Sequence, residues 1–275
     1  MSDSSDPGNI LDVLQEQRAI DFRSFKPDTL GRRINLRLLN TGMPDYKAYG
    51  RYLAEHPGEI DLLLKAFSVT VSHFFRNPLV FEVLREFVVP ELLASAPAGG
   101  LRIWCAGCGR GEEAYSIAIL IRASCSRATP PFPVNILATD IDKQALAHAA
   151  LGEYRGEALA EVKKQYLDTF FSTQGGESYR ISEDIRSLIN FAYHNVITCR
   201  SPREVVFNDC HLIFCRNVLI YYDSERGGKV VSFLARSLSP GGFLVLGEAE
   251  TIPATLAPEF REIIPRTRIY RKENT

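Results

Sequence analysis

The chain has 275 residues, of which 45% are apolar and 24% charged, enough for one large domain or two ordinary ones and ordinary for a globular protein. That usage, with a formal net charge of −1, excludes a disordered, collagenous or repeat protein. Six cysteines, at 105, 108, 125, 199, 210 and 215, are too sparse for a disulfide-stapled secreted domain and fit a reducing compartment. The polar start, Met1 to Gly8, lacks the pattern of a secretory signal, and no apolar run reaches transmembrane length. A soluble, cytoplasmic protein without membrane insertion is expected, with a monomer as the default.

Charge is unevenly spread. Residues 18–37 hold Arg18, Arg23, Lys26, Arg32, Arg33 and Arg37 against Asp21 and Asp28, a net of +4. Leu30, Ile34, Leu38 and Leu39 recur there at helical spacing, which predicts an amphipathic helix with a basic face, capped by Asp28 or Thr29 and ended by Gly42. Further helical patterns cover Tyr46 to His56 and Glu59 to about Phe67, giving an all-helical N-terminal unit over residues 10–80. Pro78 to Pro90 reads as another helix leading into a loop, Ala94 to Gly100, so that 81–100 forms a linker.

From residue 101 to 275 short β-rich runs alternate with helical ones: Leu101–Ala106, Val134–Thr139, Asn190–Val196, Leu212–Cys215 and Phe243–Leu246. This rhythm implies an α/β fold with a mostly parallel sheet covered by helices. It is interrupted from about Arg155 to Ile189 by strand-like pieces around Tyr179–Ile181 and Phe191, read as a small inserted β element over about 165–192. Ser239-Pro240-Gly241-Gly242 reads as a structural turn before the last strand.

The run from Arg102 to Glu113 places Gly107, Gly109 and Gly111 after an apolar strand and before the helical pattern Ala114–Arg122. Glycines let a backbone approach a ligand closely. The dinucleotide fingerprint requires a small residue where Glu112 stands, and an anion-binding helix start would not welcome Glu112 and Glu113 together. The turn therefore suits a cofactor without phosphate that carries an ammonium and a sulfonium, which points to S-adenosylmethionine (SAM). Asp140 ends the next strand, where an acid accepts hydrogen bonds from ribose hydroxyls or else caps the following helix; Asp142 is the better cap. Arg216 and Asn217 emerge at the end of a third apolar strand, beside the ligand face of such a sheet. Cys105 and Cys108 form a C-x-x-C that Cys210 and Cys215 could complete as a four-sulfur zinc site; the plainer reading, small residues filling a tight turn, leads to no metal being expected.

These motifs come together in a known pattern. Leu30-Gly31-Arg32-Arg33-Ile34, Ser72-His73-Phe74-Phe75-Arg76, Ala106 to Ser116, Ala138 to Asp142, Cys215 to Asp223, and Pro240-Gly241-Gly242 running to Gly247-Glu248-Ala249-Glu250 stand in the order of one family. Over roughly residues 18–272 the sequence resembles the CheR family of chemotaxis receptor glutamate methyltransferases. The resemblance implies a Rossmann-like class I SAM-dependent methyltransferase domain after the helical one. It implies that Thr70, Ser72 and Arg76 fold over the cofactor, with Arg76 holding its carboxylate. It further implies cofactor contacts from Gly107, Glu112, Glu113 and Asp140, from Asn195 and Val196 near the adenine, and from Arg216 and Asn217 near the methionine part. The family's usual Asn appears as Thr70, its A-G-C-S-T-G-E-E as A-G-C-G-R-G-E-E, and its H-S-E as Glu248-Ala249-Glu250.

The implied reaction moves a methyl group to a glutamate carboxylate of a receptor's cytoplasmic domain, leaving S-adenosylhomocysteine. A glutamate with pKa near roughly 4.3 is already ionised at neutral pH, so no general base is required. Tyr221 is the candidate to orient the incoming glutamate, against the plainer reading that it packs. Arg32, Arg33 and Arg37 are the candidate receptor contacts. Nucleic acid is not expected, since the basic segment interleaves only Phe22 and Phe25. The competing readings are a SAM-dependent enzyme acting on another substrate and a non-catalytic module that binds SAM or S-adenosylhomocysteine.

Overall fold

A computed structural model of the chain describes residues 6–18, 22–23, 25–67, 72–125, 132–202 and 209–273. The chain divides into two compact units, Met1–Val69 with Ile220–Gly227, and Thr70–Leu219 with Gly228–Thr275.

The first unit contains four helices, α1 (Gly8–Arg18), α2 (Pro27–Thr41), α3 (Tyr46–Glu55) and α4 (Pro57–Phe67). Helix α1 has no counterpart among the helices expected from the sequence. Its polar lead-in hides Ile10, Leu11 and Leu14, which are buried with Leu30, Ile34, Tyr49, Leu53, Ile60 and Leu63. Helix α2 begins one residue before the expected caps. Pro27 occupies the first turn, Lys26 stands at the N-cap with no side-chain hydrogen bond, and Asp28 and Thr29 lie inside the helix. Proline supplies a helical φ without needing an amide partner, so no capping side chain is required. Gly42 ends the helix at φ 69, as expected. Of the four apolar positions, Leu39 is 81% exposed and belongs to no core. Phe22 stacks on Phe67, and Phe25 meets Tyr222 edge-on at 4.4 Å while Lys26 N donates to Tyr221 O.

Arg37 departs from its expected place on the basic face. Its guanidinium forms a bidentate pair with Glu59, Nε to Oε1 at 2.8 Å and Nη2 to Oε2 at 2.9 Å, and the Tyr49 hydroxyl donates to the same carboxylate at 2.8 Å. Glu59 is buried between α3 and α2 partners, and burial, with Glu59 beside it, pushes the Tyr49 hydroxyl well up so that it stays a donor.

The second unit opens with a helical run, α5 (Pro78–Val83), a π-helical turn (Leu84–Val88) and α6 (Val89–Ala94). It passes through Pro90, where a helix was expected to stop, because that proline falls in the first turn of α6. There follow β1 (Leu101–Ala106), α7 (Glu112–Ser124), β2 (Val134–Asp140), α8 (Lys143–Leu151), β3 (Glu153–Arg155), α9 (Lys164–Phe170), β4 (Phe171–Gly175), β5 (Ser178–Ile181), α10 (Glu183–Arg186), β6 (Ile189–Tyr193), β7 (Cys210–Cys215), α11 (Ser224–Ser237), β8 (Leu238–Leu246), β9 (Phe260–Glu262) and β10 (Ile269–Lys272). The main sheet has the order β6-β2-β1-β7-β8-β10-β9, parallel from β6 to β8 and antiparallel at β10 and β9. The strands are buried apolar runs because helices cover both faces. This is a Rossmann-like α/β fold after an all-helical domain.

Phe191 lies in β6 of the main sheet, paired with Ala138, and not in the insert. The inserted sheet is β3-β5-β4, antiparallel. The run Ser239 to Gly242 forms the irregular start of β8, where the register against β7 shifts between Cys210 and Leu212 and Gly241 takes φ 74. No described helix is long and apolar enough to cross a membrane.

Replacing Arg37 with Ala leaves the Glu59 carboxylate buried beside a hydroxyl alone. The expected outcome is a loss of about 3 kcal/mol of unfolding free energy, measured by urea titration followed through helical circular dichroism; a loss below about 0.5 kcal/mol would show that the pair behaves as a surface pair.

Candidate active site

Gly107, Gly109 and Gly111 take φ of 77, 55 and 91 between β1 and α7. The end of β2 grips this turn. Gly107 N and Cys108 N both donate to Thr139 O, at 2.7 and 2.9 Å, and Gly109 N donates to Asp140 Oδ2 at 2.8 Å. Three of the turn's amides are thus already taken by the end of β2. A Cβ at Gly109 would meet nothing within 4 Å, so open space lies over the turn. Cys105 and Cys108 are buried thiols beneath it, pushed well up by burial, and among the described residues no group of His, Cys, Asp and Glu is arranged to hold a metal ion.

Three carboxylates surround the turn. Asp140 accepts from Gly109 N with Oδ2 and from Asp142 N at 2.9 Å with Oδ1, and each oxygen keeps acceptor capacity. Asp142 itself caps α8, accepting from Gln144 N and Ala145 N. Glu112 is 3% exposed, its Oε2 has no partner, and burial pushes its carboxyl up to about 7. Glu113 accepts from Arg216 Nη1 at 2.7 Å. The Arg216 guanidinium is fully enclosed and also donates to Arg76 O at 3.3 Å and Asn77 Oδ1 at 2.6 Å. It therefore joins the start of α7 to the 72–77 segment rather than pointing a bare charge into the open space.

That segment turns sharply, with Phe75 and Asn77 at φ 56 and 62. Phe75 N donates to Ser116 Oγ in α7, and Phe74 N to Ala158 O in the insert. Ser72 and Arg76 are half-buried there; Thr70 lies outside the described residues. The insert reaches the turn as well, for the buried Tyr154 of β3 donates its hydroxyl to Arg110 O at 2.5 Å. Asn195 and Val196 follow β6 beside Asp140, whose carbonyl accepts from His194 N; the Asn195 side chain accepts from Ile197 N, and Val196 is buried. Asn217, past β7, takes φ 59 and donates its amide to Glu250. Gly107, Glu112, Glu113, Asp140, Arg216 and Asn217 thus gather at the ends of β1, β2 and β7. Tyr154 has no signal in the sequence, and Glu250 enters it only within the closing motif. Its one local signal is an acid three residues past the glycine that follows β8.

Tyr221 and the basic residues gather in the helical unit. Lys26, Asp28, Thr29, Arg32, Arg33, Leu36, Ile220 and Tyr221 line an open cavity of about 520 Å³. Three cations face one carboxylate there, and Arg37 is not among the lining residues.

The donor set suits a ligand without phosphate: three amides taken, carboxylates around an open glycine turn, and an enclosed arginine already paired. The mostly parallel sheet is the architecture of a SAM-dependent methyltransferase, with SAM as its cofactor. The model for the CheR methyltransferase SAM binding domain matches residues 70–268, and that for the CheR methyltransferase all-alpha domain residues 8–68. The chain belongs to the CheR methyltransferase family. It is 31% identical over 240 residues to a chemotaxis protein methyltransferase of Listeria innocua, covering 87% of both chains, and 28% identical over 243 residues to chemotaxis protein methyltransferase 2 of Vibrio cholerae, covering 88% of this chain and 83% of that one. It is also 33% identical over 265 residues to an uncharacterized 104.1 kDa protein of Rhodobacter capsulatus, covering 96% of this chain but 27% of that protein. The chain thus spans about a quarter of that relative's length.

Glu112 gives the ligand-free chain a characteristic pH response. A carboxyl near 7 in the folded chain and 4.5 as its ordinary value binds more protons folded than unfolded between those values, so its contribution to stability falls as pH rises through that window. Glu112→Gln, which does not titrate, is expected to melt progressively above wild type from about pH 5 to about pH 7.5, approaching on the order of 3 kcal/mol. A melting difference constant across the window would show that Glu112 does not titrate there.

Proposed function

We propose that the chain transfers the methyl group of SAM to glutamate side-chain carboxylates on the cytoplasmic domain of a chemotaxis-type receptor, forming glutamyl methyl esters. The observation that carries this reading is the cavity of Lys26, Arg32, Arg33 and Tyr221, whose cations suit an acidic partner and whose Leu36 and Ile220 suit its apolar stems. The names of the Listeria and Vibrio relatives support the chemotaxis setting.

When bound, SAM supplies an electrophilic methyl group on a sulfonium. Asp140 would accept from its ribose hydroxyls through the acceptor capacity left by Gly109 N and Asp142 N. Glu113, held by Arg216, and Glu112 would face its cationic parts, with Gly107 and Asn217 beside them. Arg76, Ser72 and Thr70 would close over the methionine carboxylate, and Asn195 with Val196 would border the adenine. The acceptor carboxylate arrives ionised, so no side chain needs to take a proton. The protein's work is alignment and removal of water around the nucleophile, for which pre-organisation supplies on the order of 7–11 kcal/mol. Tyr221 would orient the glutamate, while Arg32 and Arg33 hold the acidic surface around it. Arg37, committed to Glu59, has no part in that contact.

The test is transfer of radiolabelled methyl from SAM to receptor cytoplasmic fragments, followed by mild alkali. Label released as methanol is expected with wild type, and Asp140→Ala is expected to weaken SAM binding by more than about tenfold. Arg32→Glu with Arg33→Glu should lower receptor methylation roughly tenfold while leaving SAM affinity within about twofold. Alkali-stable label would refute the glutamyl ester, and equal loss of SAM binding in the double variant would refute a receptor role for the two arginines.

A further inference from the structure

Glu250 stands just past β8, and methyl transfer as described assigns it no task. It is 4% exposed, and its partners are main-chain amides: Oε1 accepts from Leu219 N at 2.7 Å, and Oε2 from Gly247 N at 2.6 Å and Asn217 N at 3.1 Å. The carboxylate thus bridges two adjacent strand ends, since Gly247 follows β8 and Asn217 to Leu219 follow β7.

The bridge is specifically shaped. Three N–H donors converge on one group, and only a carboxylate accepts on both oxygens without donating. Burial pushes its acid form up and the amides draw it back. Asn217 is held in the left-handed region, which disfavours a residue with a Cβ, and its amide donates from that conformation. At Gly247 a Cβ would come within 2.6 Å of Glu250 Oε2 and 2.8 Å of Asn217 N, so the closed arrangement leaves room for hydrogen alone.

What the bridge holds is a wall of the cofactor cradle. Val218 lies between the two clamped residues and abuts Gly107, where any Cβ would run into its Cγ2. Arg216, one residue before the clamp, carries the contact to Glu113. We propose that Glu250 is a positioning residue for cofactor binding: by clamping the Asn217 and Leu219 amides it sets Val218 against Gly107 and fixes that wall of the glycine turn. The proposal rests on the reading that this cradle holds SAM and is independent of the methyl acceptor.

Amide hydrogen exchange of the ligand-free full chain and calorimetric SAM binding test it, in wild type, Glu250→Gln and Gly247→Ala. Glutamine keeps the size but turns an NH2 toward converging donors; the alanine keeps the charge but displaces it, which maintains the test if the first variant folds poorly. In both, exchange at Asn217 and Leu219 is expected to quicken at least about tenfold while β1 and β2 keep their protection, and the SAM Kd is expected to rise at least about tenfold. A Kd within about twofold of wild type in a folded variant with fast exchange at both amides overturns the proposal and leaves a purely structural tie. Unchanged exchange at both amides overturns the clamp itself. Failure of glutamyl transfer moves neither readout, so the two readings fail separately.

Discussion

The grip of β2 on the glycine turn decides what the rest of the second unit can do. Thr139 O takes two amides and Asp140 Oδ2 a third, which holds the turn in a shape for close approach and spends three N–H donors on the protein. Glu112, Glu113 and Asp140 crowd around that turn, an arrangement that disfavours an anion there.

Arginine serves two opposite ends in the molecule. Arg216 and Arg37 are enclosed, each locked on one glutamate, and their value lies in leaving no buried charge unpaired. Arg32 and Arg33 line an open cavity, where a charge acts over distance and is screened by salt. Substituting the first kind threatens the fold, and substituting the second alters what the fold attracts.

Much of this was legible from the sequence. The strand-turn-helix at Gly107, the acid ending the next strand and the Asp142 cap each depend on neighbours a few residues apart and lie where expected, and the basic helix forms with its start moved to Pro27. What stayed hidden depends on partners distant along the chain. Arg37 could not be separated from Arg32 and Arg33 because Glu59 lies a helix away, and Arg216 meets a glutamate 103 residues earlier in the chain. Helix α1 gives little signal because its apolar stripe is short and set in a polar stretch, and Phe191 reads both as part of the main-sheet run Asn190–Val196 and as part of the insert because the two kinds of strand share a short alternating pattern; only the first holds. Glu250 was read only as part of a motif, since nothing local tells an acid gripping three amides from one facing solvent.

The inserted sheet is rooted more deeply than its exposed strands suggest. Tyr154 of β3 holds the carbonyl of Arg110 in the glycine turn and meets the ring of Phe74 edge-on at 4.9 Å, and Ala158 anchors the Phe74 amide. The element is therefore no detachable module. A transplant cut at Glu153 and Ile181 would remove supports from the host's glycine turn and install a stranger's. A viable chimera would have to exchange the β4–β5 hairpin tip alone, or carry Phe74, Arg110 and the insert across as a single inheritance.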